Sequence, residues 1–198
     1  AGAFYTGVNL VGVVGTDFPD SAVQDLRKRG VDTSGMEVAE GKTFHWEGRY
    51  TDDLTARETI ATDLNVLADF DPKIPEAFRD TPYVMLGNIA PELQLSVLDQ
   101  IREPKLVIAD TMNFWIDGAL DSLKKLMKRV DVLVINEEEA RQLSGRHHLI
   151  HVAAELIEHF EGECDLETAI MLETYSDHYT AQMRAKERLA TLGQISGF

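Results

Sequence analysis

The stretch Asp131-Val132-Leu133-Val134-Ile135-Asn136-Glu137-Glu138-Glu139-Ala140 decides how the rest of this chain is read. Val132 to Ile135 run without polar interruption into an Asn and three carboxylates, the pattern of a strand buried on both faces that ends in a polar crevice. Asn136 is a good helix N-cap. Glu residues in the turn after it suit the positive end of the helix dipole. Strand, turn and helix are therefore specified within one short segment, and in open α/β sheets such a strand end is where ligands bind.

Two earlier segments repeat the theme. Leu106 to Ala109 is an apolar run ending at Asp110, and Tyr83 to Leu86 is another ending at Gly87-Asn88. The helix after the latter begins with Pro91 in its first turn and carries Leu93, Val97, Leu98 and Ile101 inward, while a helix from Asp117 to Arg129 packs Leu120, Leu123 and Met127. Right-handed crossovers keep the carboxyl ends of successive parallel strands together, so Asn88, Asp110 and Asn136 are predicted at one sheet edge. Further upstream, Val8 to Val14 is apolar, the turn Thr16-Asp17-Phe18-Pro19-Asp20-Ser21 opens a helix with Val23 and Leu26 inward, and Gly30 stops it. The expectation is that Val8–Val14, Tyr83–Leu86, Leu106–Ala109 and Val132–Ile135 lie parallel in one sheet.

Between these parts the period changes. From Lys42 to Tyr50, Phe44, Trp46, Gly48 and Tyr50 alternate with Thr43, His45, Glu47 and Arg49, the two-residue repeat of a half-exposed strand. Glu58 to Val66 is its expected antiparallel partner, and residues 36–68 together read as a small projecting sheet. Beyond Gly145 no further strand is expected: His147 to Glu161 and Leu166 to Leu192 read as helices, the second with Ile170, Tyr175, Tyr179, Met183 and Leu189 as its apolar positions.

Composition narrows the function. The 198 residues carry 34 acidic and 19 basic side chains, a formal charge of −15, with no basic patch. Nucleic acid and anionic membrane surfaces are thereby excluded as partners, since both would be repelled. The single cysteine, Cys164, forms no internal disulfide, and no apolar run reaches the length of a membrane span, so a reducing cytoplasm is the expected home.

Several stretches carry a family resemblance together. Val11-Gly12-Val13-Val14-Gly15-Thr16-Asp17-Phe18-Pro19, then Gly30-Val31-Asp32-Thr33-Ser34 and Gly41-Lys42-Thr43, resemble the amino-terminal half of a ribokinase-like (PfkB family) carbohydrate kinase. Asp110-Thr111-Met112-Asn113-Phe114-Trp115 and Asn136-Glu137-Glu138-Glu139 are similar to its central segments, the last matching an N-x-x-E motif. The motifs are specific in their order and spacing. They cover about the first three quarters of the chain.

The resemblance implies a ribokinase-like doubly wound parallel α/β sheet with helices on both faces, a small antiparallel β lid at about 36–68, and a helical carboxyl-terminal tail over 146–198. It implies transfer of the γ-phosphoryl group of ATP, with Mg²⁺, to a hydroxyl of a sugar or related alcohol such as a nucleoside. On that pattern Asn136 and Glu139 organise Mg²⁺, water and phosphate, with Glu139 reaching the metal through water. Asp110 and Asn113 lie near the transferred phosphate or substrate, and Thr43, His45 and Trp46 close the sugar site from the lid, which could also carry a homodimer contact. The family's substrate-binding Asp and Gly-Gly segment belong to a strand before this chain's first residues. Its late G-A-G-D signature, source of the catalytic base and the anion hole, does not occur. Residues 1–145 are thus expected to form an incomplete kinase domain.

Each residue also has a plainer reading. Asn136 and Glu139 can be a cap and a solvated first turn, Asp110 an ordinary strand-to-loop Asp, and Phe44 and Trp46 packing within the small sheet. The corresponding alternative function is a non-catalytic α/β binding or interaction module. A third reading rests on the tail, where His147, His151, Glu155 and His159 recur every four residues on one helix face, a spacing compatible with a transition metal.

Overall fold

The computed structural model describes residues 7–50, 57–146 and 169–173. They fall into two compact units, Ala1–Asp80 with Asp99–Ile101, and Thr81–Leu98 with Arg102–Phe198. In the first, β1 (Val8–Gly15) runs parallel to β2 (Val31–Ala39) through the helix α1 (Asp20–Lys28). This corrects the expectation of a single sheet containing Val8–Val14, because β1 is paired with β2 in a two-stranded sheet. The pairing is irregular: from Asn9 to Val11 the partner advances from Asp32 to Gly35, so β2 holds one extra residue. There the side chain of Asp32 accepts the Ser34 N–H at 2.8 Å. Gly35 is required at the crossing, since a Cβ would lie 2.7 Å from the Leu10 carbonyl oxygen.

The antiparallel pair follows as expected. β3 (His45–Tyr50) pairs with β4 (Arg57–Asp63), with a slip that leaves Ile60 as the extra residue between Thr59 and Ala61. The small sheet is shorter than 36–68, because residues 36–39 belong to β2. Trp46 and Gly48 share a face in the predicted two-residue period, and the indole lies over the glycine, where a Cβ would meet it at 2.2 Å.

In the second unit, β5 (Tyr83–Leu86), β6 (Leu106–Asp110), β7 (Val132–Asn136) and β8 (Ala169–Glu173) form a parallel sheet in that order. Val84, Leu86, Val107, Ala109, Leu133 and Ile135 are buried on one face. α2 (Pro91–Leu98) and α4 (Leu120–Met127) pack on each other and supply Leu98, Leu123, Leu126 and Met127 to the core. Burying each such side chain contributes about 1.5–3 kcal/mol. Asp131 fixes the start of β7 against β6: its carboxylate accepts the Val107 N–H at 2.7 Å and its own N–H donates to the Val107 carbonyl at 2.9 Å.

Two expectations change here. The helix predicted from Asp117 to Arg129 is two helices, α3 (Asn113–Gly118) and α4, broken at Ala119 with φ −139° and ψ 33°. A strand, β8, stands within the segment read as the helix Leu166–Leu192, and it extends the sheet beyond residue 145. Ala169-Ile170-Met171-Leu172 is an apolar run too short for its period to separate helix from buried strand. The rest of the predicted tail helices, with His147, His151, Glu155 and His159, lies outside the described residues.

Candidate functional site

Parallel pairing brings the ends of β5, β6 and β7 to one edge of the second unit, as the sequence implies. α5 (Glu137–Ser144) starts there with Asn136 as its N-cap. The Asn136 side chain accepts the Glu139 N–H at 2.9 Å, and the Glu139 carboxylate accepts the Asn136 N–H at 3.0 Å, a reciprocal capping box. Glu139 is not the solvated first-turn carboxylate of the plainer reading; it is only 4% exposed. Glu137 pairs instead with Arg141 one turn later, and Glu138 is exposed. At its far end α5 closes on Gly145, in the left-handed region at φ 65°.

Asp110 and Asn113 follow from β6, and each is held by a different neighbour. Asp110 ends β6, half-buried, and its carbonyl accepts from the side chain of Gln94 at 3.0 Å. Asn113 begins α3 and donates through Nδ2 to Gln142 of α5 at 2.8 Å, so the helix after β6 is tied to the helix after β7. Asn88 completes the edge by accepting the Trp115 indole N–H at 2.8 Å. The Trp115 ring meets Phe114 edge-on, centroids 4.8 Å apart, with Phe114 exposed.

Sequence reasoning missed Gln94. Its place on α2 reads as an ordinary polar position, yet it is 1% exposed and its amide nitrogen also donates to the Gly87 carbonyl at 2.8 Å. One side chain therefore bridges the ends of β5 and β6. The only sequence signal is its spacing, three residues from Pro91 and four from Leu98, on the buried stripe. Gln94 Oε1 and the hydroxyl of buried Thr111 are buried polar atoms without a hydrogen-bond partner among the described residues.

The lid residues belong to the first unit. Thr43 sits at the lid's root, where its hydroxyl accepts the Gly15 N–H at 2.9 Å and donates to Asp17 at 2.7 Å. The bond from the Thr43 hydroxyl, and after it the bond from the Thr43 N–H, holds the Asp17 carboxyl below its ordinary value. His45 lies opposite Asp63 across the ribbon, Nδ1 to carboxylate 3.5 Å, both well exposed. The Trp46 indole N–H reaches Thr59 at 3.4 Å.

Among the described residues no three His, Cys, Asp or Glu side chains cluster as a metal-binding set. A Mg²⁺ that keeps most of its water needs fewer protein ligands, and a carboxylate fixed at a strand end, as Glu139 is, fits that donor chemistry. Among the same residues no helix is long and apolar enough to cross a membrane.

Comparison with known proteins adds the following. A family model described as pfkB family carbohydrate kinase matches residues 4–171, ending within β8. A cytidine kinase from Thermococcus kodakarensis is 28% identical over 140 residues, covering 70% of this chain and 50% of that protein. Among solved structures, a putative ribokinase II from E. coli in its apo form aligns over 87% of this chain and 58% of its own, with TM-score 0.67 and 14% identity. A putative ribokinase II from E. coli in complex with ATP and Mg²⁺ aligns over 80% and 55%, with TM-score 0.61 and 15% identity. At those identities the structures establish the shared fold. The chain spans about half the length of the curated relative it matches.

Proposed function

Since this chain belongs to the pfkB family of carbohydrate kinases, we propose that it acts in ATP-dependent phosphoryl transfer to a hydroxyl of a sugar or nucleoside, in the cytoplasm. The observation that carries the reading is the capping box. It fixes an otherwise costly buried carboxylate, Glu139, at the carboxyl end of a parallel strand, beside Asn136 and at the same edge as Asp110 and Asn113. In this reading Glu139 orients water on Mg²⁺, Asn136 lies by the same water and phosphate, and Asp110 and Asn113 line the phosphate or substrate. Thr43, His45 and Trp46 belong to the lid, whose exposed Phe44 and Ile60 offer apolar surface to a second copy.

The resemblance to a cytidine kinase favours a nucleoside among the acceptors, and the neighbour solved with ATP and Mg²⁺ supports the choice of cofactors. A second reading, a module that binds without turning over, takes Glu139 as structural, since its capping-box bonds with Asn136 account for its burial without a metal. Titration calorimetry with Mg²⁺-ATP, followed by a coupled ADP-release assay over sugars and nucleosides including cytidine, separates the two. Absence of nucleotide binding would overturn the kinase reading; binding without substrate-dependent ADP release would favour the module.

A further inference from the structure

We infer that Asp17 is the anchor of the lid, a positioning residue that locks the root of β3 to the β1–α1 turn so that the ribbon moves only beyond Phe44. The lid joins its unit through two roots, residues 41–43 and 64–66. At the first, Thr43 donates both its backbone N–H and its hydroxyl to one oxygen of Asp17, each at 2.7 Å, while the same hydroxyl accepts the Gly15 N–H at 2.9 Å. Beside it, the Gly41 carbonyl accepts from Thr16 through its N–H at 3.0 Å and its hydroxyl at 3.2 Å.

The second root is fastened to the first. Val66 N–H donates to the Lys42 carbonyl at 3.1 Å, and Asn65 donates its side-chain amide to the Thr43 carbonyl at 2.9 Å. Asn65 does so from φ 49°, a left-handed conformation that Asn tolerates better than most residues. Gly15 allows this approach, because a Cβ there would lie 2.4 Å from the backbone of Gly41, Lys42 and Thr43.

Asp17 supplies the charged acceptor of this cluster, and bonds to a carboxylate are the stronger kind. It lies two residues before Pro19, the N-cap of α1, in the turn that carries the chain from β1 into that helix. Thr43, whose hydroxyl is engaged on both its donor and one acceptor side, then acts as the fixed point, leaving His45 and Trp46 on the moving part.

The inference rests on the reading of β3–β4 as a lid, but its test needs no nucleotide. Hydrogen–deuterium exchange on the full chain should show protection at the backbone N–H of Thr43 and in β3 and β4 falling several-fold in Asp17→Ala, with β1 and β2 little changed. Asp17→Asn keeps an acceptor oxygen and should restore most of it. Thr43→Val, which removes the hydroxyl's bonds with Asp17 and Gly15 but keeps the N–H bond to Asp17, should also loosen the lid, and combined with Asp17→Ala its effect should be less than additive because the two share the hydroxyl–carboxylate bond. Unaltered lid exchange in Asp17→Ala, or equal loosening of β1, β2 and the lid, would overturn the anchor. Failure of the kinase reading would show separately, as intact lid control without nucleotide binding.

Discussion

Replacing Glu139 by Gln separates two jobs that the proposed site gives to one side chain. Gln serves in a capping box nearly as well as Glu, so Glu139→Gln should keep the bond to the Asn136 N–H and shift stability little, whereas Mg²⁺-dependent nucleotide binding should weaken. Calorimetry giving equal Mg²⁺-ATP affinity in variant and parent would remove Glu139 from the site. Asn136→Ala should behave oppositely on the first count, costing about 0.5–2 kcal/mol through the lost cap, as read by urea unfolding. Gln94 extends the argument to a residue outside the proposed chemistry. Gln94→Leu leaves the Gly87 and Asp110 carbonyls without their buried donor and should cost about 1–3 kcal/mol. Gln94→Glu should be worse at neutral pH than in mild acid, where the carboxyl is protonated and can donate again. At this scale the sequence reveals side chains that act through local spacing. Asn136 and Glu139 are three residues apart and both ends of their bond are written in one motif, whereas Gln94 acts on carbonyls seven and sixteen residues away, which nothing local announces.

Elements differ in how much strain a single methyl group would cause. Gly15→Ala sets a Cβ against the backbone of the lid root at 2.4 Å, where nothing can rotate aside, and should loosen the lid and destabilise the first unit. Gly48→Ala meets the Trp46 ring at 2.2 Å, a side chain that can swing away, so it should alter Trp46 fluorescence more than stability. A reversed order of these two effects would argue against the lid root as described. The Asp17 bonds add a pH dependence of known sign. Its folded pKa is depressed, chiefly by the Thr43 hydroxyl bond, so its contribution is present above the ordinary carboxylate value of about 3.9 and is lost as pH falls through the lower folded value. Lid protection, corrected for the pH dependence of intrinsic amide exchange, should fall in the parent on descending from pH 5 and stay unchanged in Asp17→Ala. Elements with an uninterrupted apolar run or a clean alternation, β5 to β7 and β3, are legible in the sequence because burial fixes their period. β2 is not, since Val31 to Ala39 mixes Asp, Ser and Glu with a glycine crossing and an extra residue, so its pairing depends on β1 rather than on its own pattern. The break at Ala119 is equally silent, because every residue around it except Gly118 suits a helix.

For the molecule as a whole, the deciding measurement is binding set against turnover. Phosphoryl transfer depends on positioning and on stabilising charge in the transition state, and loss of even one preorganised anion-hole donor typically costs about 10² to 10³ in rate. The family pattern supplies those donors, and the base beside them, through a glycine-rich turn that this sequence lacks. Gly118-Ala119-Leu120-Asp121 has the right letters at three of four places, but it spans the break between α3 and α4, and Leu120 stands where a glycine would let backbone N–H groups approach phosphate. A polypeptide of these 198 residues should therefore bind Mg²⁺-nucleotide through the β7–α5 edge and release ADP, with any sugar or nucleoside, far below ordinary kinase rates. A coupled assay on protein of verified mass, run beside the calorimetric titration, checks both halves. Robust substrate-dependent ADP release would mean that other residues of this chain supply the base and the anion hole, and tight binding without it would confine the chain's own chemistry to holding the nucleotide.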